Sequence, residues 1–181
     1  MYRHYWQLAE TPFAESLDPR YYYPAEPHQG ALLQLRYALE QNRGAAALTG
    51  PSGSGKTLLL LMLRRLLDER FRPFCHLTFP KLPGDDFLAY VAEELSGVRF
   101  KHTPGPRESL RMIEDALVAA VREGRRPVLV IDESHLLEDR HTWERLRMLL
   151  GLLPGEANPL SLLFVGHTTL LGDVAPTYRA G

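Results

Sequence analysis

The segment Gly50 to Thr57 reads GPSGSGKT. It fits a pattern of glycine, four free positions, glycine, lysine and a hydroxyl residue. A polyphosphate needs several N–H donors converging on it. Gly50, Gly53 and Gly55 let the backbone turn tightly and approach an anion with no side chain in the way. A helix opening at Lys56 adds its free N–H groups and the positive end of its dipole. The Lys56 ammonium supplies charge for the outer phosphates, and the Thr57 hydroxyl can ligate Mg²⁺. The expected nucleotide contacts are therefore Gly50, Pro51, Ser52, Gly53, Ser54, Gly55, Lys56, Thr57 and Leu58. From average residue usage, a chance match in a chain this long has odds of about one in a hundred. The other reading, a Gly-rich strand-to-helix turn with no ligand, does not need Lys followed by Thr.

A second segment, VLVIDESHLL from Val128 to Leu137, sets Asp132 and Glu133 side by side at the end of an apolar run. A phosphate loop needs a second acidic site for its metal. Asp132, at a strand end, would bind Mg²⁺ through the metal's water shell, opposite Thr57. Glu133 would point elsewhere and orient or deprotonate a water for attack on a γ-phosphate. The alternative is a strand end followed by a helix cap, with Asp132 and Ser134 as capping residues. A third segment, LLFVGHTTLL, ends in His167 and Thr168. Nucleotide motors place a γ-phosphate sensor here, usually Asn, Thr, Ser or Gln. His167 is a departure in that role, Thr168 competes for it, and a helix cap by Thr168 or Thr169 is the other reading.

These residues need strands and helices to carry them. AAALTG, RPFCHLTF, PVLVID and LSLLFVG are continuous apolar runs, expected as buried strands. Between them lie helical patterns. Leu32, Leu35 and Leu39 precede Gly44, and KTLLLLMLRRLLDERF is rich in helix formers. Asp85 and Asp86 read as caps before Phe87, Leu88, Val91 and Leu95, with Gly97 as the stop. Leu110, Ile113, Leu117 and Val121 mark another helix stopped by Gly124, and RHTWERLRMLLGLL a further one. DPRYYYPAEP reads as ordered loop. Strands alternating with helices indicate an α/β fold with a mainly parallel sheet covered on both faces.

The 181 residues are 45% hydrophobic and 24% charged, with a formal net charge of -1. That is ordinary globular composition and argues against a dedicated polyanion binder. Basic clusters at Arg64-Arg65, VRFKHTPGPR and REGRR read first as solvated helix ends and loops. The flexible basic loop at Val98 to Arg107 leaves DNA contact open. The lone Cys75 excludes an internal disulfide. Seven histidines show no zinc-type spacing. The longest apolar run, LLLLML, is far too short to span a bilayer. A cytoplasmic protein with no transmembrane segment is expected.

YWQLAETPF, DPRYYYPAEPHQGALLQLRYALEQNRGAAALTGPSGSGKT, VLVIDESHLL and ERLRMLLGLL…LSLLFVGH together resemble the AAA-type ATPases of the general secretion pathway protein A (ExeA) group. The resemblance runs in order along nearly the whole chain. Transposition ATPases of the Mu B and TniB type share much of the pattern. The resemblance implies a P-loop NTPase α/β/α sandwich with an AAA+ core and sheet order 5-1-4-3-2. It implies ATP and Mg²⁺ as cofactors, homo-oligomers in the full-length form, and interfaces completed by an arginine finger. Lys56, Glu133 and His167 are then the catalytic candidates, and Thr57 and Asp132 the metal ligands. The adenine would lie near Pro12, Phe13 and Tyr21 to Tyr23, unless those aromatics only pin the N-terminal arm to the core.

AAA+ proteins also carry a fifth strand and a helical lid after the sensor strand, and the chain stops at Gly181. The expected organisation is one domain, with an arm over 1–29 and a core over 30–181 that stops before both features. The expected activity is ATP hydrolysis, slow in this form, coupled to assembly or remodelling of a partner complex of a secretion machine. The alternative is an ATP-switched DNA-binding module of the transposition type.

Overall fold

The computed structural model describes residues 2–7, 17–78, 84–137, 140–153 and 158–169. Four strands form the sheet: β1 (Ala45–Thr49), β2 (Phe74–Leu77), β3 (Val128–Ile131) and β4 (Ser161–Gly166). All neighbours are parallel, in the order β1-β4-β3-β2. This is the order the resemblance implies for the strands described. The register sets Leu48 beside Val165, Ile131 beside Phe164, and Leu77 beside Ile131. All four strands therefore deliver their C-terminal ends to one edge of the sheet.

Six helices are described: α1 (Tyr2–Tyr5), α2 (Glu26–Glu40), α3 (Lys56–Leu66), α4 (Gly84–Ser96), α5 (Pro106–Arg122) and α6 (Arg140–Leu150). Strand residues alternate between two cores, because successive side chains leave opposite faces of a sheet. Val128, Val130, Leu163 and Val165 pack with Leu32, Leu35 and Leu39 of α2 and Leu59, Leu60 and Leu63 of α3. Leu129, Ile131, Leu162 and Phe164 pack with Phe87 and Val91 of α4, Ile113 and Leu117 of α5, and Leu146 and Leu149 of α6. The result is the three-layer α/β/α sandwich expected from the unbroken apolar runs. Cys75 lies in the second core, where burial pushes its thiol up to about 12 and keeps it protonated.

Several boundaries differ from the sequence expectation. The loop reading of DPRYYYPAEP holds only in part. Residues Pro19–Tyr21 form a 3₁₀ turn capped by the Asp18 carboxylate, and α2 already begins at Glu26. Pro27 is tolerated there because the first helical N–H groups have no intrahelical partner. Asp85 and Asp86 sit inside the first turn of α4 and act on its dipole instead of capping it. On α5 the buried stripe is Ser109, Ile113, Leu117 and Ala120, while Val121 is exposed. Gly97 and Gly124 stand just past helix ends with φ of 72° and 65°, as stops require. However, α2 is closed before Gly44: Asn42 takes the left-handed position at φ 51° and the Arg43 N–H reaches back to the Ala38 carbonyl at 3.1 Å, while Gly44 leads into β1.

Phe164 is fully buried, with its ring centroid 5.2 Å from that of Trp143. Phe164→Ala should destabilise the fold by about 3–5 kcal/mol through lost transfer energy and a residual cavity. Denaturant unfolding measures this, and a loss below about 1 kcal/mol would show that this core collapses around the gap.

Candidate functional site

The phosphate-loop motif leaves the C-terminal end of β1 and runs into α3. Its first residue is pinned to the sheet, since the Gly50 N–H donates to the Gly166 carbonyl at 3.2 Å. The Ser54 N–H closes a turn on the Pro51 carbonyl at 3.3 Å. Gly53 and Gly55 have φ of 75° and 82°, a left-handed conformation that side-chain-bearing residues resist. The backbone N–H groups of Gly55, Lys56 and Thr57 donate to nothing among the described residues. They are orphan donors of a helix start, gathered at one point with the positive end of the α3 dipole. The Lys56 ammonium folds back to donate to the carbonyls of Gly50 and Pro51, at 3.1 and 2.9 Å. These partners are weak, neutral acceptors that a phosphate oxygen would outcompete. The donor set fits a polyphosphate.

Asp132 follows β3, and its N–H donates to the Leu77 carbonyl at 2.8 Å. Its carboxylate is buried on the α3 side, with the Thr57 hydroxyl 3.5 Å from Oδ2. His76 Nε2 approaches the same oxygen at 3.1 Å, and the Glu133 N–H donates to Oδ1 at 2.9 Å. Burial alone would raise the Asp132 pKa. The His76 hydrogen bond, the Glu133 N–H and the Thr57 hydroxyl act against it and hold the carboxyl below its ordinary 3.8. Among the described residues no group of three or more His, Cys, Asp or Glu side chains is placed to hold a metal ion. Thr57 and Asp132 fit a hard cation that completes its shell with waters and phosphate oxygens.

Glu133 turns away from Asp132, at φ 51° and ψ 33°. A left-handed glutamate costs about 1–2 kcal/mol of local backbone energy. The capping reading does not hold here. A 3₁₀ turn, Ser134–Leu136, follows Glu133 with no side-chain cap. The buried Ser134 hydroxyl instead donates to the Val165 carbonyl at 2.8 Å, stapling this turn to β4. The Glu133 side chain is half exposed, with Oε2 3.4 Å from His135 Nδ1. The same His135 nitrogen lies 3.4 Å from the His167 N–H, and the two imidazole centroids are 6.2 Å apart. His167 is partly buried at the end of β4, and the exposed Thr168 hydroxyl is 3.4 Å from its Nδ1.

Three histidines in this region were missed in the sequence. His76 is the lone polar residue of FCHL, and that interruption of an apolar run is the signal that could have flagged it. His135 follows the carboxylates directly. His28, in the first turns of α2, brings Nε2 to 2.9 Å from the Ser54 carbonyl. Of the residues considered for adenine, Pro12 and Phe13 lie outside the described residues. Tyr22 packs against the α2–α3 core, while Tyr21 and Tyr23 are exposed.

Residues 39–172 match the family model described as an AAA domain, and the chain belongs to that family. With this fold and this loop it is an α/β protein of the P-loop AAA+ type. Over 171 residues, 94% of the chain, it is 32% identical to general secretion pathway protein A of Aeromonas hydrophila, and it spans 30% of that relative's length. Its fold is similar to that of Cdc6p from Pyrobaculum aerophilum, with a TM-score of 0.65 and 23% identity. That match covers 90% of this chain and 45% of the other. No helix among the described residues is long and apolar enough to cross a membrane.

Two outcomes follow from the carboxylates. Glycine adopts the Glu133 conformation without strain, so Glu133→Gly should leave stability unchanged or raise it by up to about 1 kcal/mol. Urea unfolding checks this, and a clear loss would contradict the strain. The folded state binds the Asp132 proton more weakly than the unfolded chain. Its contribution to stability is complete above the ordinary 3.8 and is lost as the pH falls through and below that value. Asp132→Asn should therefore lose less stability than the parent chain between about pH 5 and pH 3. Unfolding without nucleotide measures it, and equal slopes would refute the assignment.

Proposed function

We propose that this chain binds ATP with Mg²⁺ at the loop Gly50–Thr57 and hydrolyses it to ADP and phosphate. The observation that carries this is the set of N–H groups at the start of α3 that have no partner among the described residues, with Lys56 beside them and the Thr57–Asp132 pair 3.5 Å apart below. In this reading Gly50 to Gly55 wrap the inner phosphates with backbone N–H groups, and Leu58 closes the contact along α3. Lys56 exchanges its loop carbonyls for phosphate oxygens. Thr57 and Asp132 hold the magnesium, which when bound offsets charge on the phosphates. Glu133 takes the proton of the attacking water as the oxygen–phosphorus bond forms and ADP leaves. Its αL turn separates it from Asp132, so neighbouring carboxylates serve different tasks. His167, at the end of β4, senses the outer phosphate through the His135 contact shared with Glu133.

Family membership and similarity to a general secretion pathway protein A support placing the chain with the secretion-associated AAA ATPases. We place its ATP cycle in the assembly or remodelling of a partner complex, through homo-oligomers of the full-length protein. A transposition-type DNA module has less behind it. Arg99 of the basic loop pairs with Glu93 and Glu94, Arg125 with Glu123, and Arg126 donates to the Glu40 carbonyl. These three arginines are engaged by the chain's own acceptors, whereas Lys101 and Arg107 of the same loop are exposed.

Lys56→Ala should weaken ATP affinity by tenfold or more with the circular dichroism spectrum unchanged, since among the described residues the Lys56 ammonium bonds to loop carbonyls alone. Glu133→Gln should keep MgATP binding and lose at least about 10²-fold in turnover, the scale of a lost general base. Titration and phosphate release separate the two. Unchanged affinity in the first, or unchanged turnover in the second, would overturn the respective role.

A further inference from the structure

A backbone N–H is only as well aimed as its peptide plane. The Ser54–Gly55 plane hinges on the ψ of Ser54 and the φ of Gly55, and Gly55, at φ 82°, is a glycine that permits other orientations. Among the described residues, one side chain from outside the loop hydrogen-bonds to it. His28, on α2, sets its Nε2 2.9 Å from the Ser54 carbonyl oxygen. A carbonyl only accepts, so this nitrogen carries the hydrogen and donates it. The other ring nitrogen, Nδ1, is buried with no partner. The loop is thus the one polar contact this ring makes among the described residues. The ring also stands behind the next residue, since a Cβ on Gly55 would lie 3.7 Å from Nε2.

The only cis peptide bond among the described residues is Arg72-Pro73, so the Ser54–Gly55 bond is trans. In a trans peptide the C=O and N–H of one plane point in opposite directions. Holding the Ser54 carbonyl toward α2 therefore turns the Gly55 N–H away from α2, and that N–H has no partner among the described residues. A hydrogen bond to the carbonyl also polarises the amide and strengthens its N–H as a donor. We propose that His28 is a positioning residue of the phosphate loop, whose Nε2–H fixes the Ser54–Gly55 peptide and so aims the Gly55 N–H at the bound phosphate. This rests on the phosphate-loop reading. It gives α2 a second task beside its apolar face of Leu32, Leu35 and Leu39, because the helix that covers the sheet also sets the angle of one loop donor.

The test uses the 181-residue chain with His28→Phe, which keeps a ring and removes the donor, and His28→Gln, whose amide N–H has a reach close to Nε2. Each is titrated by calorimetry with ADP and, separately, with inorganic pyrophosphate, both with Mg²⁺. Losing one aimed donor should weaken both ligands by the same factor, about five- to tenfold. His28→Gln should recover most of that loss. Without ligand, the Gly55 amide resonance should shift in His28→Phe and stay near its place in His28→Gln. A loss confined to ADP would place His28 against the nucleoside and overturn the proposal. Unchanged affinity for both ligands in a folded variant would overturn it as well. If His28→Phe does not fold, His28→Ala is read in the same way, and a failure of Gln to rescue would refute the donor role. If the parent chain binds neither ligand, the phosphate-loop reading falls, and this inference with it.

Discussion

Everything at this site depends on keeping a few backbone N–H groups unpaired and yet fixed in place. An unpaired donor in a mobile loop is solvated and aimless; one buried in a core costs about 1–3 kcal/mol. The structure resolves the conflict by making the donors the first turn of α3 and anchoring the loop before them. Gly50 is tied to the end of β4, Ser54 to Pro51, and Lys56 closes over the carbonyls of Gly50 and Pro51. The anchors are available because the sheet is parallel. With the order β1-β4-β3-β2, the end of β1 carries the loop, β4 supplies its first tether, β3 brings Asp132, and β2 brings His76, all at one edge.

The second constraint is the repulsion between adjacent carboxylates. Asp132 is buried and fully engaged, by Thr57 and His76 on one oxygen and by the Glu133 N–H on the other. Its partner turns out of that environment by entering the left-handed region, where it meets His135 near the surface. The local strain at Glu133 is maintained by its surroundings. Ser134 is locked to Val165, and Asp132 is locked to Leu77, so the turn between them has little freedom to relax. In the proposed mechanism this separation divides metal binding from water activation.

Much of this was legible in the sequence because it is local. The four apolar runs became the four strands, and the glycine stops at Gly97 and Gly124 follow from backbone sterics alone, whereas α2 is closed by Asn42 and not by Gly44. The loop motif sits on its strand end and helix start because the spacing itself encodes that turn. What escaped is non-local. His76 meets Asp132 across 56 positions of sequence, and His28 meets Ser54 across 26. Neither spacing has a period to betray it, and a metal-centred reading of histidines passes over residues that instead hold carboxylates and carbonyls. The alternative reading of Asp132 and Ser134 as capping residues failed for a related reason. Ser134 had a better acceptor in the Val165 carbonyl, supplied by a strand that sequence alone does not place beside it.

In the proposed function the loop between β1 and α3 is the polyphosphate site, and Lys56 is parked on carbonyls it is ready to leave. A crystal structure of the chain with ADP and Mg²⁺ tests this most directly. The diphosphate is expected against the N–H groups of Gly55, Lys56 and Thr57, with the Lys56 ammonium moved from Gly50 and Pro51 onto a phosphate oxygen. A nucleotide bound elsewhere, with Lys56 still donating to those two carbonyls, would contradict it.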